Sequence, residues 1–152
     1  MRKCESSAAV TSMTSSPQVL TFLDAGVLFS VFSAQPGNAA RALAVLADPA
    51  RSFVTSDVLE LEVLPKPIYF KRTDQADYYR AYFNNAALQV EASKGLLEAA
   101  FDAACQYGLA AVDALHVTAA LAAGCHELIT TEKQTKPIYR VPGLTIHYLA
   151  DL

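Results

Sequence analysis

From Val19 onward, short runs of β-forming residues alternate with longer stretches of helical periodicity, and few folds accommodate that alternation. Val19–Leu23, residues 52–55, Leu88–Val90, Glu127–Thr130 and residues 144–148 read as strands. Between them the apolar spacing predicts a helix over 38–46 capped by Asn38, and another from Ser56 or Asp57 through Leu64. Further helices run from a Thr73 cap to about Asn84, from a Ser93 cap to near Gly108, and over 112–123, where Gly124 closes the last turn. Pro65-Lys66-Pro67 is expected to break or sharply bend the chain. Strands separated by helices pair in parallel and need cover on both faces. The expected fold class is therefore α/β, a three-layer α/β/α sandwich around a mainly parallel sheet.

Composition narrows the function classes. The chain has 152 residues, enough for one domain, with 53% hydrophobic and 18% charged residues, which excludes a disordered chain. Three cysteines, Cys4, Cys105 and Cys125, are an odd number without zinc-ligand spacing, and they read as thiols in a reducing cytoplasm. The longest apolar stretch, 19–32, is interrupted by Asp24 and is too short to cross a bilayer. The first eighteen residues hold five serines and two threonines and no signal-peptide core; residues 1–18 are expected to be a flexible tail preceding a domain over 19–152. Twelve Lys and Arg against fifteen Asp and Glu give a net charge of −3, so any nucleic-acid contact must rest on local patches.

Ligands of a parallel sheet bind beyond the carboxyl ends of its strands, and four acids fall where those ends should be. Asp24 directly follows the first strand; a helix N-cap, worth about 1 kcal/mol, is its ordinary explanation. Glu62 shares the spacing of Val58 and Leu59 and is expected on their inward stripe, whereas Glu60 points to solvent with Ser56 and Asp57. Asp113 begins an otherwise uncharged helix, which places a carboxylate at the interior end of a core element. Glu132 stands after its strand much as Asp24 does after the first, although taken alone a surface role is its simpler reading. Ser56 would cap the second helix and orient the pocket. Four carboxylates in one pocket repel unless a hard cation neutralises them, and oxygen-only ligands favour Mg²⁺ or Mn²⁺ over zinc. Such a centre suits phosphodiester hydrolysis.

Half of the basic residues lie in two short segments downstream of candidate ligands. Lys66, Lys71 and Arg72 follow Glu62, and Lys133, Lys136 and Arg140 follow Glu132. Lys66, Arg72, Lys133 and Lys136 are the candidate phosphate contacts. The interleaved Tyr69, Phe70 and Tyr139 are of a kind that stacks on unpaired bases, but inward packing is the simpler expectation for them, as it is for the Tyr78, Tyr79, Tyr82 and Phe83 stripe. His116, three residues after Asp113, reads first as an ordinary helix histidine and second as a supporting partner of the acids.

The segments 23–28, 55–64, 112–116 and 128–132, in that order, resemble a PIN domain, and more narrowly the VapC-like ribonucleases of prokaryotic toxin–antitoxin modules. The resemblance implies an α/β/α fold, a Mg²⁺ or Mn²⁺ site and endonucleolytic cleavage of RNA. It maps the family's acids onto Asp24, Glu62 and Asp113, puts Glu132 at a more variable fourth position, and matches Thr130 to a hydroxyl that supports the site. It also implies a homodimer, an antitoxin protein as partner, and no membrane association. Two departures stand out. Gly26 occupies a place where the family often carries Asn or another polar residue, and Glu132 replaces the usual Asp, so that it would reach a metal directly or through water. The main alternative is a catalytically weak PIN-like module that binds RNA or a protein. A phosphatase or phospho-acceptor domain fits less well, because Asp24 has no second Asp two residues later.

Overall fold

The computed structural model describes residues 18–152. The serine-rich segment expected as a tail lies outside the described residues, apart from Gln18. Five strands form one sheet: β1 (Val19–Leu23), β2 (Arg51–Ser56), β3 (Leu88–Val90), β4 (Glu127–Thr130) and β5 (Thr145–Tyr148). Their order is β3-β2-β1-β4-β5, and every pairing is parallel. Seven α-helices connect them: α1 (Ala25–Ser30), α2 (Pro36–Leu46), α3 (Asp57–Val63), α4 (Pro65–Tyr69), α5 (Thr73–Asn85), α6 (Lys94–Tyr107) and α7 (Ala111–Ala122). A 3-10 turn over Pro137–Arg140 joins β4 to β5. Right-handed crossovers put α1–α5 on one face and α6–α7 on the other, giving the expected three layers.

Chain direction across the sheet reverses at β1. The chain steps outward from β1 through β2 to β3, then returns by α6 and α7 to lay β4 on the other flank of β1. The crevice between the carboxyl ends of β1 and β4 is thus the topological switch point, where this class of sheet binds its ligands. Phe22, Leu23, Val54, Leu128 and Ile129 are fully buried in the middle layer, and α7 covers it with Ala114, Val117, Ala119 and Ala120. The small side chains let this helix lie close to the sheet.

Local signals account for most boundaries. Ser56 and Ser93 cap α3 and α6 by accepting the backbone N–H groups of Leu59 and Leu96. Gly108 (φ 70°) and Gly124 (φ 71°) close α6 and α7 in the left-handed conformation that glycine adopts without strain. Two expectations need correction. Asn38 lies inside α2, which starts at Pro36, because proline's fixed φ and missing N–H suit a first helical turn. Thr73 is the first residue of α5, not its cap. The break expected at Pro65 is present, since α3 ends at Val63, and Pro65 itself begins the separate helix α4. Tyr79 and Phe83 are buried as expected, with Tyr78 and Tyr82 packed beside them.

At the amino-terminal edge of the sheet Glu127 is buried and neutralised within the fold. It accepts hydrogen bonds from Thr21 Oγ1 (2.8 Å) and Arg51 Nε (2.7 Å), and His147 Nε2 lies 3.0 Å away. Burial works against its charge, but the Arg51 and Thr21 hydrogen bonds and the charges of Arg51 and His147 outweigh it and hold the carboxyl below its ordinary range. One carboxylate therefore ties β1, β2, β4 and β5 together. Replacing Glu127 with Ala leaves Arg51 with Asp48 as its remaining carboxylate partner and removes the hydrogen bonds that join the strands, and is expected to lower unfolding free energy by about 2 kcal/mol, read from urea denaturation.

Candidate metal centre at the switch point

The carboxyl edge carries polar groups of the opposite design. The β1–β4 register pairs Leu23 with Ile129, so the next row sets Asp24 beside Thr130, and the β1–β2 register brings Ser56 level with them. Asp24 is 6% exposed. Its Oδ1 accepts the Val27 N–H at 3.2 Å, capping α1, and its Oδ2 accepts a hydrogen bond from Thr130 Oγ1. Thr130 is fully buried and its hydroxyl in turn accepts the Glu132 N–H at 3.0 Å. Burial raises the Asp24 carboxyl to about 6, against the lowering effect of the Thr130 and Val27 hydrogen bonds and the nearby His116. The capping expectation for Asp24 holds, and the oxygen that does not cap is the one engaged by Thr130.

α7 brings Asp113 to this row. Burial raises its carboxyl first, the charges of Glu132 and Glu62 raise it further, and His116 and Lys136 oppose them. These couplings place Asp113 within electrostatic reach of the other acids and of the β4–β5 connection. Asp113 stands in the first turn of α7, with Ala110 at the cap position, so capping does not explain it.

Glu62 arrives by a different route from the expected one. Leu59 and Val63 form the buried stripe of α3, and the Glu62 side chain, 36% exposed, lies beside that stripe at the rim. Glu60 is the more sheltered of the pair and accepts a hydrogen bond from Gln89 Nε2 at 2.7 Å. What turns Glu62 toward the site is His116, whose Nε2 lies 2.8 Å from Glu62 Oε2. Periodicity ranked this histidine too low. Its one available signal was the one-turn spacing from Asp113. Glu132 is half-buried after β4, and Tyr139 donates a hydrogen bond to its backbone carbonyl at 2.8 Å, fixing the loop.

Gly26 has a steric reason. A Cβ built on it would stand 2.0 Å from Thr131 Oγ1 and 3.1 Å from Thr131 Cβ, so the first turn of α1 touches the loop that leaves β4. Ser56 is buried and capping, as expected.

The basic residues divide. Lys136 acts on Asp113 electrostatically, and Lys133 lies on the same turn, with its carbonyl accepting the Lys136 N–H. Arg140 reaches away, to the Tyr107 carbonyl. Lys66 and Arg72 are exposed beyond α3, where Arg72 lies over the Phe70 ring at 5.5 Å. Tyr69 (79% exposed) and Phe70 (58% exposed) do not pack inward as expected, because α4 is too short to bury both of its faces.

Among the described residues, no lysine or arginine pairs with Asp24, Glu62, Asp113 or Glu132. Among the same residues, no three Asp, Glu, His or Cys side chains converge on a single point at ligand distance. Mutual repulsion favours that spacing, with Asp24 turned to Thr130 and Glu62 to His116. The donor chemistry nonetheless fits a hard divalent cation: oxygen donors only, one of them on a buried carboxyl that lacks an ion-pair partner.

The comparisons agree with this geometry. The family model described as "PIN domain" matches residues 21–143. The chain belongs to the PIN domain family. This PIN domain is similar in fold to a toxin–antitoxin complex chain from Klebsiella pneumoniae, with 21% identity, a TM-score of 0.59, and coverage of 82% of this chain and 95% of that one. It is likewise similar to a chain of VapBC2 from Rickettsia felis bound to a promoter DNA fragment, with 16% identity, a TM-score of 0.62, and coverage of 86% and 98%. VapBC-1 from nontypeable Haemophilus influenzae gives 13% identity, a TM-score of 0.61, and coverage of 86% and 98%. No curated protein matches the sequence. No helix among the described residues is long and apolar enough to cross a membrane.

Two outcomes follow for the metal-free PIN domain. Because Asp24 binds its proton more tightly folded than unfolded (about 6 against 3.8), stability falls as pH rises from about 4 to about 6. Asp24→Asn is then expected to stabilise the protein at pH 7.5 by about 2–3 kcal/mol, read from denaturation in EDTA. Gly26→Ala should cost about 1–3 kcal/mol through its collision with Thr131, and adding Thr131→Ala should recover most of that loss.

Proposed function

We propose that this PIN domain is a metal-dependent endoribonuclease, the toxin of a toxin–antitoxin pair, with Asp24, Glu62, Asp113 and Glu132 as its metal-binding and catalytic acids. The observation that carries the reading is the buried Asp24 carboxyl at the switch point, hydrogen-bonded to Thr130 and within electrostatic reach of Asp113, which in turn feels Glu132 and Glu62. A bound Mg²⁺ or Mn²⁺ would neutralise the cluster, activate the attacking water and stabilise the charge that develops on the leaving oxygen. Asp24, at the end of β1, and Asp113, in the first turn of α7, would hold the ion. Glu62 and Glu132 complete the shell from the rim, Glu132 directly or through water. Thr130 orients Asp24, and Ser56 fixes the start of the helix that bears Glu62. Lys133 and Lys136 bind the substrate phosphates beside Asp113, with Lys66 and Arg72 extending the phosphate track beyond α3. The exposed Tyr69 and Phe70 suit unpaired bases.

The similar structures are chains of toxin–antitoxin and VapBC complexes, which supports the toxin role. An antitoxin protein is accordingly the proposed partner, a homodimer the proposed assembly and the cytoplasm the proposed location. The proposed nuclease domain spans 19–152.

RNA cleavage with Mn²⁺ tests the reading. Wild type is expected to cut, EDTA to abolish cutting, and Asp24→Asn and Asp113→Asn to lower the rate at least 100-fold, about the 3 kcal/mol typical of a lost charge-stabilising group. Unchanged cleavage in both variants would sink the assignment, and RNA binding without turnover in wild type would favour a binding module. Lys133→Ala with Lys136→Ala should raise KM for RNA and flatten its salt dependence, because two phosphate contacts are lost.

A further inference from the structure

His116 is 2% exposed in the middle of α7, its ring centroid 5.5 Å from that of the fully buried Phe22. Its two nitrogens fare differently. Nε2 meets Glu62 Oε2 at 2.8 Å, while Nδ1 is buried without a hydrogen-bond partner among the described residues. A carboxylate only accepts, so Nε2 carries the hydrogen and donates it, whatever the charge on the ring. A buried polar atom left unpaired is a penalty, and the residues of α7 buried with it, Ala114, Val117, Ala119 and Ala120, are apolar apart from Thr118. Folding stability alone would therefore favour a leucine at this position. Glu62, for its part, is a long side chain at the rim of a short helix, and His116 supplies its one side-chain hydrogen bond.

We propose that His116 is a positioning residue: its Nε2–H aims the Glu62 carboxylate from α3 toward Asp113 on α7, preorganising the divalent-cation site. This inference rests on the metal-dependent reading above. The same hydrogen bond joins α3, which leaves β2, to α7 from the opposite layer, so that it sets the width of the site as well as the direction of one ligand. Without it, Glu62 is free to choose among solvent-facing rotamers, and ordering it falls to the arriving cation.

The test is Mn²⁺ titration by calorimetry on the full chain, paired with denaturation in EDTA. His116→Leu is expected to be as stable as wild type or more so, yet to bind Mn²⁺ at least tenfold more weakly. His116→Gln, which keeps a donor, should retain part of the affinity and guards against a Leu variant that fails to fold. In a Glu62→Gln background, His116→Leu should change affinity little, because the group it positions has lost its charge. Wild-type affinity in His116→Leu overturns the proposal, as does an equal loss with and without Glu62. Absence of Mn²⁺ binding by wild type instead overturns the metal-dependent reading and this inference with it.

Discussion

Everything at the functional edge depends on a charge buried where β1 and β4 part. A carboxyl that is 6% exposed cannot ionise cheaply, and Asp24 is held there by the α1 backbone and by Thr130. The sheet topology makes this position unavoidable for a ligand, because the chain leaves β1 toward one flank and returns on the other, opening the strand ends without a covering connection. The acids on α3, α7 and the loop after β4 then deepen the local negative potential. The site is destabilised by its own composition, and in the proposed reading a cation would relieve it.

The two edges of the sheet treat their carboxylates in contrary ways. Glu127 finds its counter-charges inside the chain, in Arg51 and His147, and returns them as rigidity across four strands. Asp24 and Asp113 find no such partners among the described residues. A domain of this size has limited stability to give up, and the strength at the amino-terminal edge offsets the repulsion at the other.

The fold was legible because its signals are local. Alternating runs, serine caps and closing glycines mark elements whose order then dictates a parallel sheet. The start of α2 at Pro36 was misread, since proline breaks a helix interior but begins one comfortably, whereas the break before Pro65 was legible. Asp24 and Asp113 were legible as charges interrupting apolar runs. Glu62 was chosen for a periodicity it does not obey: the turn beside Leu59 and Val63 faces the rim, and only a contact with His116, fifty-four residues later, brings it in. Such a contact has no sequence signature. The Glu127 network was missed for the same reason, as its members come from four strands. Tyr69 and Phe70 were expected inside, because one-dimensional reading cannot tell that α4 has nothing to pack its outer face against.

The pairing of β1 with β4 carries a further consequence for how reliably the site is assembled. Near one end of the pairing β1 supplies the hydroxyl, Thr21, and β4 the carboxylate, Glu127; at the other β1 supplies the carboxylate, Asp24, and β4 the hydroxyl, Thr130. Both pairs span the same 106 residues of sequence. A strand slipped by one position would turn its side chains to the wrong face and break both bonds together, costing each buried acid its threonine donor. The reciprocal arrangement works as a two-point proofreading of alignment. A chain that has closed both pairs has, by that act, already brought Asp24 and Thr130 into their working relation.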